Sequence, residues 1–201
     1  MPNWCSNSIA FYQEDGGNCL LEAFYTDVSK YMDFKDVNGS PSDWVGNYLT
    51  ENKIDTDSLY CRGFFANCEL HSDHVLVSME TAWEPLPQVW DKMAEKYGLS
   101  YVYIAEEPGM GIYINTDVEG RFFTDRYLLD YFEVEDLELD SETLAEFGER
   151  LKAFSEHTHY YENFDDVMND FKDFGFKADN IESLNKHLER FNLEVYEYAK
   201  E

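Results

Sequence analysis

Positive charge is what this sequence has least of. Fifteen Lys and Arg stand against 42 Asp and Glu, for a formal net charge of −27 and a pI of about 4.3. A surface so poor in cations argues against direct nucleic-acid binding, which needs Lys and Arg to displace counterions from phosphates. It argues equally against docking on anionic membranes. Long apolar runs are missing too, since none approaches the roughly 20 residues that span a bilayer. The opening Met1-Pro2-Asn3-Trp4-Cys5 has neither a basic n-region nor an apolar h-region, so a cytoplasmic location is expected. Cysteine is sparse: Cys5, Cys19, Cys61 and Cys68 form no paired CxxC motif, which fits a reducing compartment without disulfides. No GxSxG elbow occurs. Gly109-Met110-Gly111 has no helix or basic residue after it, so it reads as a tight turn rather than a phosphate cradle.

What is present describes a folded chain. Aromatics make up 17% of the residues and apolar residues 44%, too much for an acidic disordered segment. A length of 201 residues suits one domain or two small ones. Asn7 to Gln13 alternates as a strand, and Cys19 to Met32 carries Leu21, Phe24, Val28 and Tyr31 at helical spacing. Residues 33–57 read as a polar insertion, with a short helix from Trp44 to Leu49. Leu59 to Leu70 and Val75 to Thr81 flank His71-Ser72-Asp73-His74 as a β-hairpin. Pro85 to Tyr97 reads as a helix stopped by Gly98. Strands are expected at Leu99 to Ala105 and Gly111 to Asn115, with another within Arg121 to Phe132. The order strand, helix, strand, strand, helix, strand predicts an α+β chain with a ferredoxin-like antiparallel sheet and helices on one face. Beyond Val134 the pattern turns helical at Ser141 to His157, Asn163 to Phe174 and Ile181 to Tyr198. The expected division is therefore a ferredoxin-like domain over 1–134 and an acidic all-helical extension over 135–201.

The segments Pro2-Asn3-Trp4-Cys5, Thr81-Ala82-Trp83-x-Pro85 and Glu106-Glu107-Pro108-Gly109 resemble the YubB-like family of plasmid and phage proteins over residues 1 to about 130. The resemblance implies a ferredoxin-like domain and a mobile-element origin, hence a bacterial host cell. It brings no catalytic residues.

Cys61, Cys68, His71 and His74 are the one cluster of metal-ligand types. Zinc would need all four to converge tetrahedrally, and the alternative is two strand cysteines beside a hairpin turn. No metal or cofactor is therefore assigned, and the chain is read as non-catalytic. His157 and His159 read as cations at a helix end. The four tryptophans read as packing residues, any exposed one being a partner anchor.

The acidic residues carry the functional signal. Nineteen of the 42 fall in residues 135–201, a third of the chain. Glu142, Glu146 and Glu149 recur at i, i+4 and i+7, as do Asp166, Asp170 and Asp173. Glu133, Glu135, Asp136, Glu138 and Asp140 precede them. An i to i+4 step rises about 6 Å, on the scale of phosphates along a strand. Such a face is either the solvated side of amphipathic helices or a mimic of nucleic-acid charge. Mobile elements meet host nucleases and CRISPR effectors with basic channels. The expected partner is thus a protein with a basic nucleic-acid-binding groove, inhibited in anti-CRISPR or antirestriction fashion. The rival expectation is an interaction or regulatory module, dimeric through its sheet, whose charge serves solubility.

Overall fold

The computed structural model describes residues 3–14, 18–32, 43–55, 59–131, 150, 153, 159–172, 174–191 and 193–200, without the side chains of residues 130, 131 and 190. The chain is mixed α+β with antiparallel sheets. It divides into two compact units, Met1–Val118 and Glu119–Lys200.

The first unit is built on a five-stranded sheet: β1 (Trp4–Tyr12), β2 (Gly63–Leu70), β3 (His74–Ala82), β4 (Ser100–Glu107) and β5 (Ile112–Asn115), in spatial order β2-β3-β1-β4-β5. Every pairing is antiparallel. Alternation decides which face is buried. Cys5, Asn7, Ile9 and Phe11 of β1 and Val75, Val77 and Met79 of β3 point into the core, while Ser6 and Ser8 do not. Over that face pack α1 (Cys19–Val28), through Leu21, Phe24 and Val28, and α3 (Pro87–Tyr97), through Val89, Trp90 and Met93. Both helices present apolar residues at i, i+3, i+4 and i+7 spacing. Full burial of each such side chain contributes about 1.5–3 kcal/mol. Pro87 opens α3, and Gly98, at φ 64°, closes it in the left-handed conformation that glycine adopts at least cost. The insertion supplies α2 (Val45–Glu51), whose Tyr48 and Leu49 extend the same core.

The second unit corrects the expected all-helical extension. It contains α4 (Phe164–Lys172) and α5 (Ile181–Leu188), but also an antiparallel three-stranded sheet. Its strands are β6 (Tyr127–Tyr131), β7 (His159–Tyr161) and β8 (Leu193–Glu197), ordered β7-β6-β8. Strand β6 lies before residue 134, yet its partners are β7 and β8. The expected helix over Ile181 to Tyr198 stops at Leu188 and becomes β8 after a turn of 3₁₀ helix, Glu189–Phe191. Leu188, Phe191 and Val195 fit helical spacing while Leu193 and Val195 fit a period of two, and pairing with β6 decides between them. The side chain of Asn185 on α5 holds the strand in place. Its Oδ1 accepts from Val195 N–H at 2.9 Å and its Nδ2 donates to Val195 C=O at 2.9 Å. Leu129, Val167, Phe171, Leu184, Leu188 and Val195 form the centre of this unit's own core. The expected helix at Ser141 to His157 lies outside the described residues, apart from residues 150 and 153.

Candidate functional site

Of the acidic residues singled out in the sequence, two are described. Asp166 and Asp170 are exposed on α4, one position ahead of the buried Val167 and Phe171. Asp166 has a local role as well. Asn163 Oδ1 accepts from its backbone N–H at 3.0 Å, and its own carboxylate accepts from Asn163 Nδ2 at 2.6 Å. That arrangement caps the first turn, where a carboxylate also meets the positive end of the helix dipole. Asp170 lies near the buried Tyr161 hydroxyl. Burial and then that carboxylate raise the Tyr161 pKa well above the usual phenol range. Glu133, Glu135, Asp136, Glu138, Asp140, Glu142, Glu146, Glu149 and Asp173 lie outside the described residues.

The cysteine–histidine set does not converge. Cys68 is buried on the core face of β2, and Cys61 sits two residues before the opposite end of that strand. From Gly63 to Cys68 alone the strand advances about 16 Å. His71 and His74 do meet at the hairpin turn, with rings stacked at 4.4 Å. Their partners are Glu69, at 3.5 Å from His71 Nε2, and Asp73, at 2.9 Å from His74 Nδ1. Among the described residues no group of three or more His, Cys, Asp or Glu is arranged to hold a metal ion. Burial pushes the Cys68 thiol up to about 12, so it stays protonated and unreactive near neutral pH. His159 is not at a helix end but in β7, stacked on Tyr161 at 6.3 Å.

Two polar features have no periodic signal in the sequence. One lies inside the first unit's core, where Asn7 Nδ2 donates to Cys5 C=O at 2.7 Å, to Thr81 Oγ1 at 2.9 Å and to Met79 C=O at 3.2 Å. Beside it Glu107 is 3% exposed. Its Oε1 accepts from Gly109 N–H at 3.1 Å, while its Oε2 has no hydrogen-bond partner among the described residues. Burial, together with the Glu107 and Glu80 carboxylates, pushes the Cys5 thiol up to about 12. The second is an open depression of about 670 Å³ lined by Asp27, Lys30, Asn52, Lys96 and Tyr97. Burial opposes ionisation of Asp27, but hydrogen bonds from Lys30, Tyr97 and Lys96 outweigh it and lower the pKa from 3.8 to about 2. Lys96 also bonds Asn52. With Glu22 also in its lining, two carboxylates match two cations within this depression, so it holds no net charge with which to select a charged ligand.

The tryptophans depart from the packing expectation. Trp90 is fully buried, with its indole N–H on Met79 Sδ at 3.3 Å. Trp4, Trp44 and Trp83 are 41%, 42% and 42% exposed. Trp83 adopts φ 73°, unfavourable for a bulky residue, and donates its backbone N–H to Asn3 C=O at 2.9 Å. Trp4 packs on Phe64 at 5.6 Å, and Trp44 bridges Phe64 through the backbone. In comparisons with known proteins, no family model matches the chain, and neither a curated protein nor a solved structure matches it. No described helix is long and apolar enough to cross a membrane.

Proposed function

We propose that this protein is a non-catalytic inhibitor of a nucleic-acid-binding defence protein, of the anti-CRISPR or antirestriction kind. It would occupy a basic groove by presenting carboxylates in place of phosphates. The observation that carries the reading is the net charge of −27 over 201 residues. Such a surface disfavours nucleic acid itself and speeds encounter with a basic protein. The exposed Asp166 and Asp170, one helical turn apart on α4, support an ordered acidic face. The strand order β2-β3-β1-β4, with crossings through α1 and α3, supports a ferredoxin-like reading of the first unit. It fits the YubB-like resemblance and, with it, a mobile-element protein acting in the bacterial cytoplasm. A second reading is an interaction module, monomeric or dimeric, whose charge serves solubility. The half-exposed Trp4, Trp44 and Trp83 favour it.

The test is affinity capture from a bacterial lysate holding restriction enzymes and CRISPR effectors, washed at low and high salt. The expected outcome is recovery of a nucleic-acid enzyme at low salt and its release by added duplex DNA. Changing Glu142, Glu146 and Glu149 together to Lys is expected to abolish that recovery. Equal recovery by the triple variant removes this acidic face from the function. Partners without basic channels transfer the reading to the interaction module.

A further inference from the structure

The side of the five-stranded sheet opposite α1 and α3 carries an aromatic arc around Glu80, with a second carboxylate, Glu106 of β4, beyond Ser6 in the same row. Register places Phe64 of β2, Glu80 of β3 and Ser6 of β1 in one row on that face. Trp44 pairs with Phe64 at the outer edge of the row. Trp4, two residues before Ser6, is the diagonal neighbour of Glu80 and packs against Phe64. Ser6 is small and exposed, which leaves room above the row. Glu80 is half-buried and forms no ion pair with any described residue. Burial raises its pKa.

We propose that this face docks an arginine side chain carried by a protein partner, with the guanidinium on Glu80 and its plane against Trp4 and Phe64. A carboxylate flanked by exposed aromatic faces suits a planar, weakly hydrated cation that takes two parallel hydrogen bonds and stacks at the same time. Lysine supplies the charge but not the plane. A nucleic-acid strand would bring phosphate against Glu80. A second copy of this chain would bring a surface of the same net −27. Charge complementarity therefore selects a basic protein. The inference rests on the proposed basic partner but puts the contact on the sheet rather than on the acidic helices.

The experiment is a fluorescence titration of the full chain with nona-arginine and nona-lysine peptides at low salt. Nona-arginine is expected to bind several-fold tighter than nona-lysine and to perturb tryptophan emission. Glu80→Gln, which removes a half-buried charge without changing shape, is expected to weaken nona-arginine about 10-fold. Glu162→Gln, the same charge change at an exposed position of the second unit, is expected to change it less than about twofold. Trp4→Leu should erase most of the preference for arginine over lysine. If Trp4→Leu does not fold by circular dichroism, the two glutamate variants decide alone. Equal losses in Glu80→Gln and Glu162→Gln overturn the docking site and leave the basic-partner reading standing. No binding of either peptide by the parent protein overturns both.

Discussion

The two units keep their polar groups in different places. All the buried polar and charged side chains among the described residues, namely Asn7, Gln13, Thr81, Glu107, Asn115 and Asp117, belong to the first unit. The core of the second is apolar apart from the Tyr161 hydroxyl. A buried amide that satisfies a neighbouring strand selects one register and penalises a slip. The first sheet is therefore specified by hydrogen bonds as well as by packing. The second unit relies on apolar volume, helix caps and the Asn185 clamp, so its stability should respond most to lost side-chain volume.

The largest expected effect comes from the apolar core. Phe171→Ala removes a fully buried ring that packs against Phe174 and Phe176. It should destabilise the second unit by about 3–5 kcal/mol. All four tryptophans lie in the first unit, so tryptophan emission follows that unit alone. In denaturant, the transition seen by far-UV circular dichroism should split from the tryptophan transition in this variant. Coincident transitions would show that the two units unfold as one.

A smaller effect is expected from the polar core. Asn7→Ala removes the buried amide that donates to the Cys5 and Met79 carbonyls and to Thr81 Oγ1, at about 2–3 kcal/mol. The tryptophan midpoint should fall without a change in slope. A loss under about 0.5 kcal/mol would mean that the buried amide does not specify the sheet.

The smallest effect is electrostatic. Because the Asp27 pKa is lowered in the folded state, its contribution is complete above the unfolded value of 3.8 and vanishes as pH falls towards about 2. After allowance for solvent screening, it amounts to about 1–2 kcal/mol. The stability difference between the parent and Asp27→Asn should therefore be constant above pH 5 and close between pH 4 and 2. A difference that persists at pH 2 would assign the effect to packing rather than to the ion pairs with Lys30 and Lys96.

Much of the first unit was legible, because its signals are local. Pro87 and Gly98 mark the ends of α3, and His71 to His74 mark the hairpin that joins β2 to β3. The second unit was misjudged where two periods coincide. Leu188, Phe191 and Val195 fit a helix, yet Leu193 and Val195 pair with β6. β7 is only three residues long, too short for any alternation to stand out. The candidate sites divide along the same line. The acidic repeat on α4 is visible along the chain because helical spacing is a sequence property. The arc of Trp44, Phe64, Trp4 and Glu80 draws on β1, β2, β3 and the insertion, so no window of sequence contains it.

The sequence by itself determined the net charge, because charge depends on composition and not on conformation. It also determined the apolar faces of α1, α3 and α4, which follow from spacing along one helix. Only the tertiary structure decided that β6 pairs within the second unit, that Asn7 satisfies a neighbouring strand, and that Glu80 lies half-buried beside Trp4 and Phe64. Each of these depends on which strand lies next to which. Strand neighbours are chosen by the collective burial of residues far apart in the chain, a choice that no local pattern encodes.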